Sequence, residues 1–129
     1  MKHLKKQNKI FHNKTVISIF VSNWIQINGM YFIEKTAEFD KWFRKLKDLR
    51  AKAKILFRIQ KLESEEHFGD FKPIGNGIKE LKINYAKGYR IYIKETDVKI
   101  IILLIGGDKS TQERDIEKAK EIWMKLKSK

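Results

Sequence analysis

The sequence contains no cysteine, and this absence removes several classes of protein at once. Without thiols there is no disulfide framework, no thiolate zinc site and no cysteine nucleophile. Such a chain fits the reducing cytoplasm, which is the expected location. Only one proline and three histidines are present. His67 is isolated, and His3 and His12 lie near the start, so we expect neither a histidine metal site nor a histidine-based catalytic pair. No cofactor is indicated.

Long hydrophobic runs and negative charge are also scarce. The apolar stretch "VISIFV" (16–21) is too short to cross a membrane, and no small-residue cleavage site follows it. Lysine and arginine number 29 against 16 acids, which gives a net charge of +13. A surplus of this size indicates a polyanionic partner such as nucleic acid, an acidic protein or an anionic membrane. Plain solubility is the simpler alternative.

The chain length of 129 residues suits one domain rather than two. Residues 1–29 contain five lysines and no acid. We interpret this segment as a basic appendage that is poorly ordered or not native to the fold. Residues 30–129 carry regular hydrophobic patterns and form the predicted domain, with Met30 as a second candidate start.

The hydrophobic periodicity changes from helical to alternating along this domain. Helices are expected where apolar residues recur every three or four positions, and strands where they alternate. The run from Ile100 to Ile105 is apolar at every position, which predicts a central strand covered on both faces. Together these patterns predict an α+β domain with the element order β-α-α-β-β-β-α, in which helices pack on a small, mainly antiparallel sheet. The predicted elements are a strand at 30–34, helices at 36–49 and 51–66, a loop at 68–77, strands at 79–83, 89–94 and 98–105, and a closing helix from about 110.

The predicted hairpin "LKINYAKGYRIY" places polar side chains opposite one another. If residues 84–88 form the turn, Lys82 faces Arg90 and Glu80 faces Tyr92 on one outward face. Like charges directly opposite on a sheet are destabilising by roughly 0.2–1 kcal/mol, unless an anion sits between them. The face is therefore interpreted either as a phosphate-binding and proton-transfer surface or as an ordinary solvated sheet face. On an outward face, removing Arg90 would leave the fold intact or slightly more stable.

Two glycines follow the last predicted strand. Gly106 and Gly107 would let the backbone leave the sheet and let a ligand approach closely. Lys109 follows near the start of the closing helix, where free N–H groups favour an anion. Ser110 and Glu113 have the spacing of a capping box, and Asp108 can also serve the cap. A purely structural interpretation explains the hydroxyls but not the double glycine.

Further cations and polar groups could contact a nucleic acid. Lys72 and Asn76 lie in the glycine-rich segment, which would fold over the sheet face. Arg58 and Lys61 share one side of the second helix with Lys54. That stripe is either a phosphate-binding face or a solvated helix surface.

Five stretches together resemble the RelE/ParE superfamily of bacterial toxins from type II toxin–antitoxin pairs. The resemblance is strongest to its HigB-like branch, the addiction module killer proteins, and it covers about 100 residues after the basic appendage. The matching stretches are "EFDKWFRKLKD" (38–48), "AKILFRI" (53–59), "FGDFKPIGNGIKELKI" (68–83), "GYRIYI" (88–93) and "LLIGGDKSTQERDIEKAK" (103–120).

The resemblance implies a RelE-like compact domain that cleaves mRNA as a metal-independent endoribonuclease, often at the ribosome. By position, Lys82 matches a basic residue proposed as the general base. Arg90 matches the arginine that holds the phosphate, and Lys109 matches a second phosphate-binding cation. RelE-type nucleases also carry a tyrosine in the last helix, and "QERDIEKAK" has none. Tyr92 could replace it, or Asp108 could take part in acid–base work.

The same resemblance implies a partner and leaves two other functions open. HigB-like toxins pair with a small helix-turn-helix antitoxin, so we expect such a partner beside mRNA and the ribosome. The ParE side of the superfamily inhibits DNA gyrase and has no nuclease activity. Because the catalytic tyrosine is missing here, gyrase inhibition stays open as an alternative function. A plain RNA-binding module is the third alternative.

Overall fold

The computed structural model describes residues 31–65 and 68–129; the basic appendage, Met30 and His67 lie outside them. None of the helices in these two segments is both long and apolar enough to cross a membrane. The elements are β1 (Phe32–Lys35), α1 (Ala37–Lys45), α2 (Leu49–Glu65), β2 (Phe71–Pro73), β3 (Ile78–Ile83), β4 (Tyr89–Glu95), β5 (Ile100–Gly107), a 3-10 turn (Lys109–Thr111) and α3 (Gln112–Lys127).

The five strands form one sheet in the order β1-β5-β4-β3-β2. β1 runs parallel to β5, and the other neighbours are antiparallel. This confirms the α+β class and the mainly antiparallel sheet. The prediction of a loop over 68–77 was wrong in part, because β2 pairs with β3 there. An edge strand of three residues tolerates Pro73, since the proline has no N–H to donate to the sheet.

Helices cover both faces of the sheet. On one face α1 and α2 pack against alternate side chains of β3, β4 and β5, including Leu81, Ile91 and Ile101. On the other face α3 packs through Ala119 and Ile122 against a second apolar cluster. β5 lies between β1 and β4, and Ile100 to Leu104 are buried. The prediction that this strand is central and covered on both faces is confirmed.

The first helix ends earlier than its sequence pattern predicts. α1 stops at Lys45, and Leu46 has an extended backbone with ψ of 132°. The Asp48 carboxylate then accepts hydrogen bonds from the backbone N–H groups of Arg50 (3.0 Å) and Ala51 (3.1 Å). An aspartate at this position caps a new helix. Leu49 therefore opens α2 and is 77% exposed, so the prediction that the first helix extends to residue 49 was wrong.

The glycine pair lies within β5 rather than at a break after it. A Cβ atom on Gly106 would come within 2.2 Å of the Trp42 ring, and one on Gly107 within 1.8 Å of the Asp115 Oδ2 atom. Side chains are therefore excluded on both faces of the strand by close packing. The expectation that these glycines release the backbone from the sheet was wrong, because β5 continues through Gly107.

Candidate functional site

The β3–β4 hairpin has the predicted register. Lys82 pairs with Arg90 and Glu80 pairs with Tyr92. Leu81 on the opposite face is fully buried. The four polar side chains therefore share one face of the sheet, as the alternation of the sequence predicts.

Most of this face is covered by α3. Tyr92 is completely buried, and Glu80 is only 4% exposed. The Tyr92 hydroxyl donates to Glu80 Oε2 at 2.8 Å, and Gln112 Nε2 from α3 donates to the same oxygen at 2.9 Å. Burial, reinforced by the hydrogen bond to Glu80, raises the pKa of Tyr92 far above its usual range. The predicted outward face is wrong here, and Tyr92 does not reach a substrate.

Arg90 lies where this covered face opens to solvent. Its side chain is nearly buried, with Nε 3.7 Å from Glu80 Oε2, within ion-pair range but too long for a hydrogen bond. Its Nη1 donates to the Gly88 carbonyl at 2.6 Å. Gly88 has φ of +72°, a conformation in which glycine is favoured. The turn and the buried carboxylate together fix the guanidinium.

Three lysines surround Arg90 in an open depression at the end of the hairpin. We call this the cation depression; it has a volume of about 330 Å³. Lys82, Lys87 and Lys109 line it and are exposed, and none of the described residues that line it is acidic. The Lys109 N–H donates to the Lys87 carbonyl at 3.2 Å, which ties the 3-10 turn to the hairpin turn.

Lys87 was not among the residues predicted for the site. It lies in the hairpin turn, within "NYAKG", and reaches the cation depression because the turn contacts the start of the 3-10 turn. Its position between Lys82 and Arg90 in the sequence was the available signal. Nothing in the strand pattern shows where the turn packs.

The Asp108 side chain caps the 3-10 turn. Its Oδ1 atom accepts from the Ser110 N–H at 2.8 Å and from the Ser110 hydroxyl at 2.6 Å. The hydrogen bond from the Ser110 hydroxyl is the main reason that the pKa of Asp108 lies below its usual range, and the bond from the Ser110 N–H acts in the same direction. The capping box joins Asp108 to Thr111, so the box predicted for Ser110 and Glu113 was wrong.

Arg58 of α2 has a structural role. Its guanidinium donates to the carbonyls of Lys82, Phe68 and Asp70, each at 2.8 Å. Burial lowers the pKa of Arg58. The guanidinium therefore holds α2 against β3 and the segment before β2, with its donors directed at backbone oxygens.

The other predicted contact residues lie in three different places. Lys72 lines a second depression, which shares Lys82 and Arg90 with the first. Lys61 lies on α2, with its Nζ atom 5.2 Å from the centre of the Phe57 ring. Asn76 lies in the turn before β3, at the opposite end of that strand from Lys82. The structure does not bring Asn76 to the cations.

The cation depression has the chemistry of a phosphate site. Several ammonium groups and a fixed guanidinium offer convergent donors to an anion, and the guanidinium can bind phosphate oxygens in a bidentate manner. Within 31–65 and 68–129 no group of three or more histidine, aspartate or glutamate side chains is arranged to hold a metal ion. The donors in the depression are suited to an anion rather than a cation.

Comparison with known proteins identifies the family. The family model described as "Phage derived protein Gp49-like (DUF891)" matches residues 41–124. An uncharacterized protein from Haemophilus influenzae (strain ATCC 51907 / DSM 11121 / KW20 / Rd) is 50% identical over 94 residues, which cover 73% of this chain and 94% of that protein.

Solved structures show the same fold. A double arginine-to-alanine mutant of the E. coli toxin RelE in the free state matches with a TM-score of 0.58 and 20% identity, covering 72% of this chain and 98% of RelE. A chain of the intact E. coli RelBE toxin–antitoxin complex matches with a TM-score of 0.53 and 19% identity, covering 60% of this chain and 95% of that one. The chain therefore belongs to the Gp49-like family and has the fold of RelE, which confirms the predicted RelE-like fold.

Proposed function

We propose that this protein is the toxin of a type II toxin–antitoxin pair, in the HigB-like branch, and that it cleaves mRNA without a metal ion. The observation that carries the proposal is the cation depression. Lys82, Lys87, Arg90 and Lys109 come from β3, the hairpin turn, β4 and the 3-10 turn, and they converge on one open site. The RelE fold supports the assignment to a toxin.

The proposed reaction is an internal transfer at one phosphodiester of the RNA. The ribose 2′-oxygen attacks the adjacent phosphorus and loses its proton to a base. The bond from phosphorus to the 5′-oxygen breaks, and that oxygen gains a proton from an acid. The products are a 2′,3′-cyclic phosphate and a 5′-hydroxyl, with no net gain or loss of atoms.

The roles follow from position and from family resemblance. Lys82 is the proposed base, because it lines the depression and matches that residue of the RelE-type nucleases; it would accept the proton as a neutral amine, whereas the proton donor is a lysine in its ammonium form. Arg90 and Lys109 are proposed to hold the phosphoryl oxygens as negative charge develops. Donors fixed before the reaction are effective in this role, and losing one commonly costs about 10²–10³ in rate.

The proton donor for the leaving oxygen is proposed to be a lysine. Tyr92 is buried and Asp108 is ionised within its cap, so neither suits this step. The side chains of Lys87 and Lys109 line the depression, and a lysine ammonium group can donate a proton to a leaving oxygen. A lysine donor would allow the reaction without a tyrosine in the last helix.

A cognate antitoxin is the proposed protein partner, a small helix-turn-helix protein acting in the cytoplasm. Supporting this, a structural relative is part of a toxin–antitoxin complex. The cluster of cations would attract an acidic segment, since complementary charge speeds and orients association. Reduced acetylation of Lys82 and Lys109 in the complex would show that the antitoxin covers the site. Unchanged labelling would show inhibition from a distance, for example by keeping the toxin off the ribosome.

Induced expression with genome-wide mapping of mRNA 5′ ends tests the nuclease assignment. We expect new mRNA ends with the wild type and none with a Lys82→Ala/Lys109→Ala double mutant, whose two substituted side chains are both exposed. A Lys118→Ala/Lys125→Ala double mutant removes the same charge from the exposed side of α3 and should cleave like the wild type. Growth arrest with intact mRNA and broken DNA would contradict the proposal and favour the gyrase alternative. RNA binding without cleavage or toxicity would favour a plain binding module.

A further inference from the structure

A second groove adjoins the cation depression and runs along α2. We call it the α2 groove; its volume is about 800 Å³. Lys82 and Asn84 line both the groove and the depression, so the two lie side by side. An RNA strand whose scissile phosphate lies in the cation depression would have its flanking nucleotides within reach of this groove.

An exposed aromatic ring forms part of the wall of the groove. Phe57 points into it from the middle of α2 and is 61% exposed. Lys61 lies with its Nζ atom 5.2 Å from the centre of the Phe57 ring. One face of the ring therefore meets a cation, and a flat apolar group can stack on the other face.

The charged side chains around Phe57 indicate which kind of partner the groove binds. Arg50, Lys54 and Lys61 line the groove together with Lys82, while Asp70 is the one acid among the described residues that line it. An exposed aromatic ring bordered by cations is the arrangement that binds single-stranded nucleic acids, with bases stacking on the ring and phosphates beside the cations. A neutral apolar peptide would not use these cations.

We propose that the α2 groove binds the RNA strand beside the scissile phosphate, with one nucleobase stacked on Phe57. This inference rests on the proposed nuclease function and adds a base-binding subsite to it. Stacking is tolerant of sequence, because every base has a π face. The subsite would therefore fix the position of the strand more than the identity of the base.

Binding of a non-cleavable RNA tests the subsite. The probe is a fluorescein-labelled single-stranded RNA with a 2′-O-methyl group on every ribose, which blocks the attacking oxygen. By fluorescence anisotropy we expect Phe57→Ala to weaken binding by about 5- to 150-fold, while Phe57→Trp keeps the affinity. Leu56→Ala is the matched control, since Leu56 is the exposed neighbour on α2 and does not line the groove.

Two further measurements separate stacking from charge. The slope of log affinity against log salt should stay the same in Phe57→Ala and become shallower in Lys54→Ala, because only the second variant removes a phosphate contact. Replacing one nucleotide at a time by an abasic unit should identify a position that weakens binding to the wild type but not to Phe57→Ala.

The results also distinguish failure of the subsite from failure of the nuclease assignment. Equal affinities of Phe57→Ala and Leu56→Ala, with binding still dependent on Lys82 and Arg90, would overturn the subsite alone. Intact RNA binding with a weakened antitoxin complex would also overturn it and assign the groove to the protein partner. No RNA binding by the wild type would overturn both proposals.

Discussion

Replacing Arg90 with alanine should destabilise the protein. The substitution leaves the Glu80 carboxylate, which is 4% exposed, without the cation 3.7 Å away. Removing one partner of a buried ion pair commonly costs about 3–5 kcal/mol. We expect a value near the lower end, about 3 kcal/mol, because Tyr92 and Gln112 still donate to the same carboxylate oxygen. For a domain of this size that lowers Tm by roughly 10–20 °C.

A double-mutant cycle isolates the cause. The free energy of unfolding would be measured by urea titration, followed by tryptophan fluorescence, for Arg90→Ala, Glu80→Gln and the double mutant. The double mutant should be more stable than Arg90→Ala, because a neutral amide at position 80 removes the uncompensated charge. Arg90→Ala with wild-type stability would refute the reasoning and restore the sequence-based view of Arg90 as an outward residue.

Three further predictions address packing and domain boundaries. Tyr92→Phe removes a buried hydrogen-bond donor to Glu80, so it should lower the free energy of unfolding by about 1–2 kcal/mol. RNA cleavage should stay unchanged, and loss of cleavage in a stable variant would give Tyr92 a catalytic role. Gly107→Ala should destabilise by about 1–3 kcal/mol or more, because its Cβ would meet the Asp115 carboxylate, and an unchanged urea midpoint would contradict that contact. A chain that begins at Met30 should fold and remain toxic, and an unfolded circular dichroism spectrum or harmless expression would show that residues 1–29 are required.

The hairpin register could be predicted from the sequence because it depends on local features. The alternation of β3 and β4 and the five-residue turn suffice to place Lys82 opposite Arg90. Alternation identifies residues that share a face, but it does not show what covers that face. Gln112 and the rest of α3 come from a distant part of the chain, so the burial of Glu80 and Tyr92 could not be predicted.

For the glycine pair, too, the sequence does not show which groups pack against the strand. Gly106 and Gly107 are conspicuous in the sequence, and a close approach is one of the two usual reasons for such a pair. The groups that approach are the Trp42 ring from α1 and the Asp115 carboxylate from α3, on opposite faces of β5. Their positions depend on how both helices pack, so the sequence could not show that the approaching groups are the protein's own side chains rather than a ligand.

The central claim is that the cation depression catalyses attack by a ribose 2′-hydroxyl. The most direct test incubates the purified protein with a short RNA in the presence of EDTA and identifies the ends of the products by mass spectrometry. We predict a 2′,3′-cyclic phosphate and a 5′-hydroxyl, and no cleavage when a single 2′-deoxynucleotide replaces the residue before the cut. Cleavage of that deoxy substrate at the same bond, or products with a 5′-phosphate, would contradict the account.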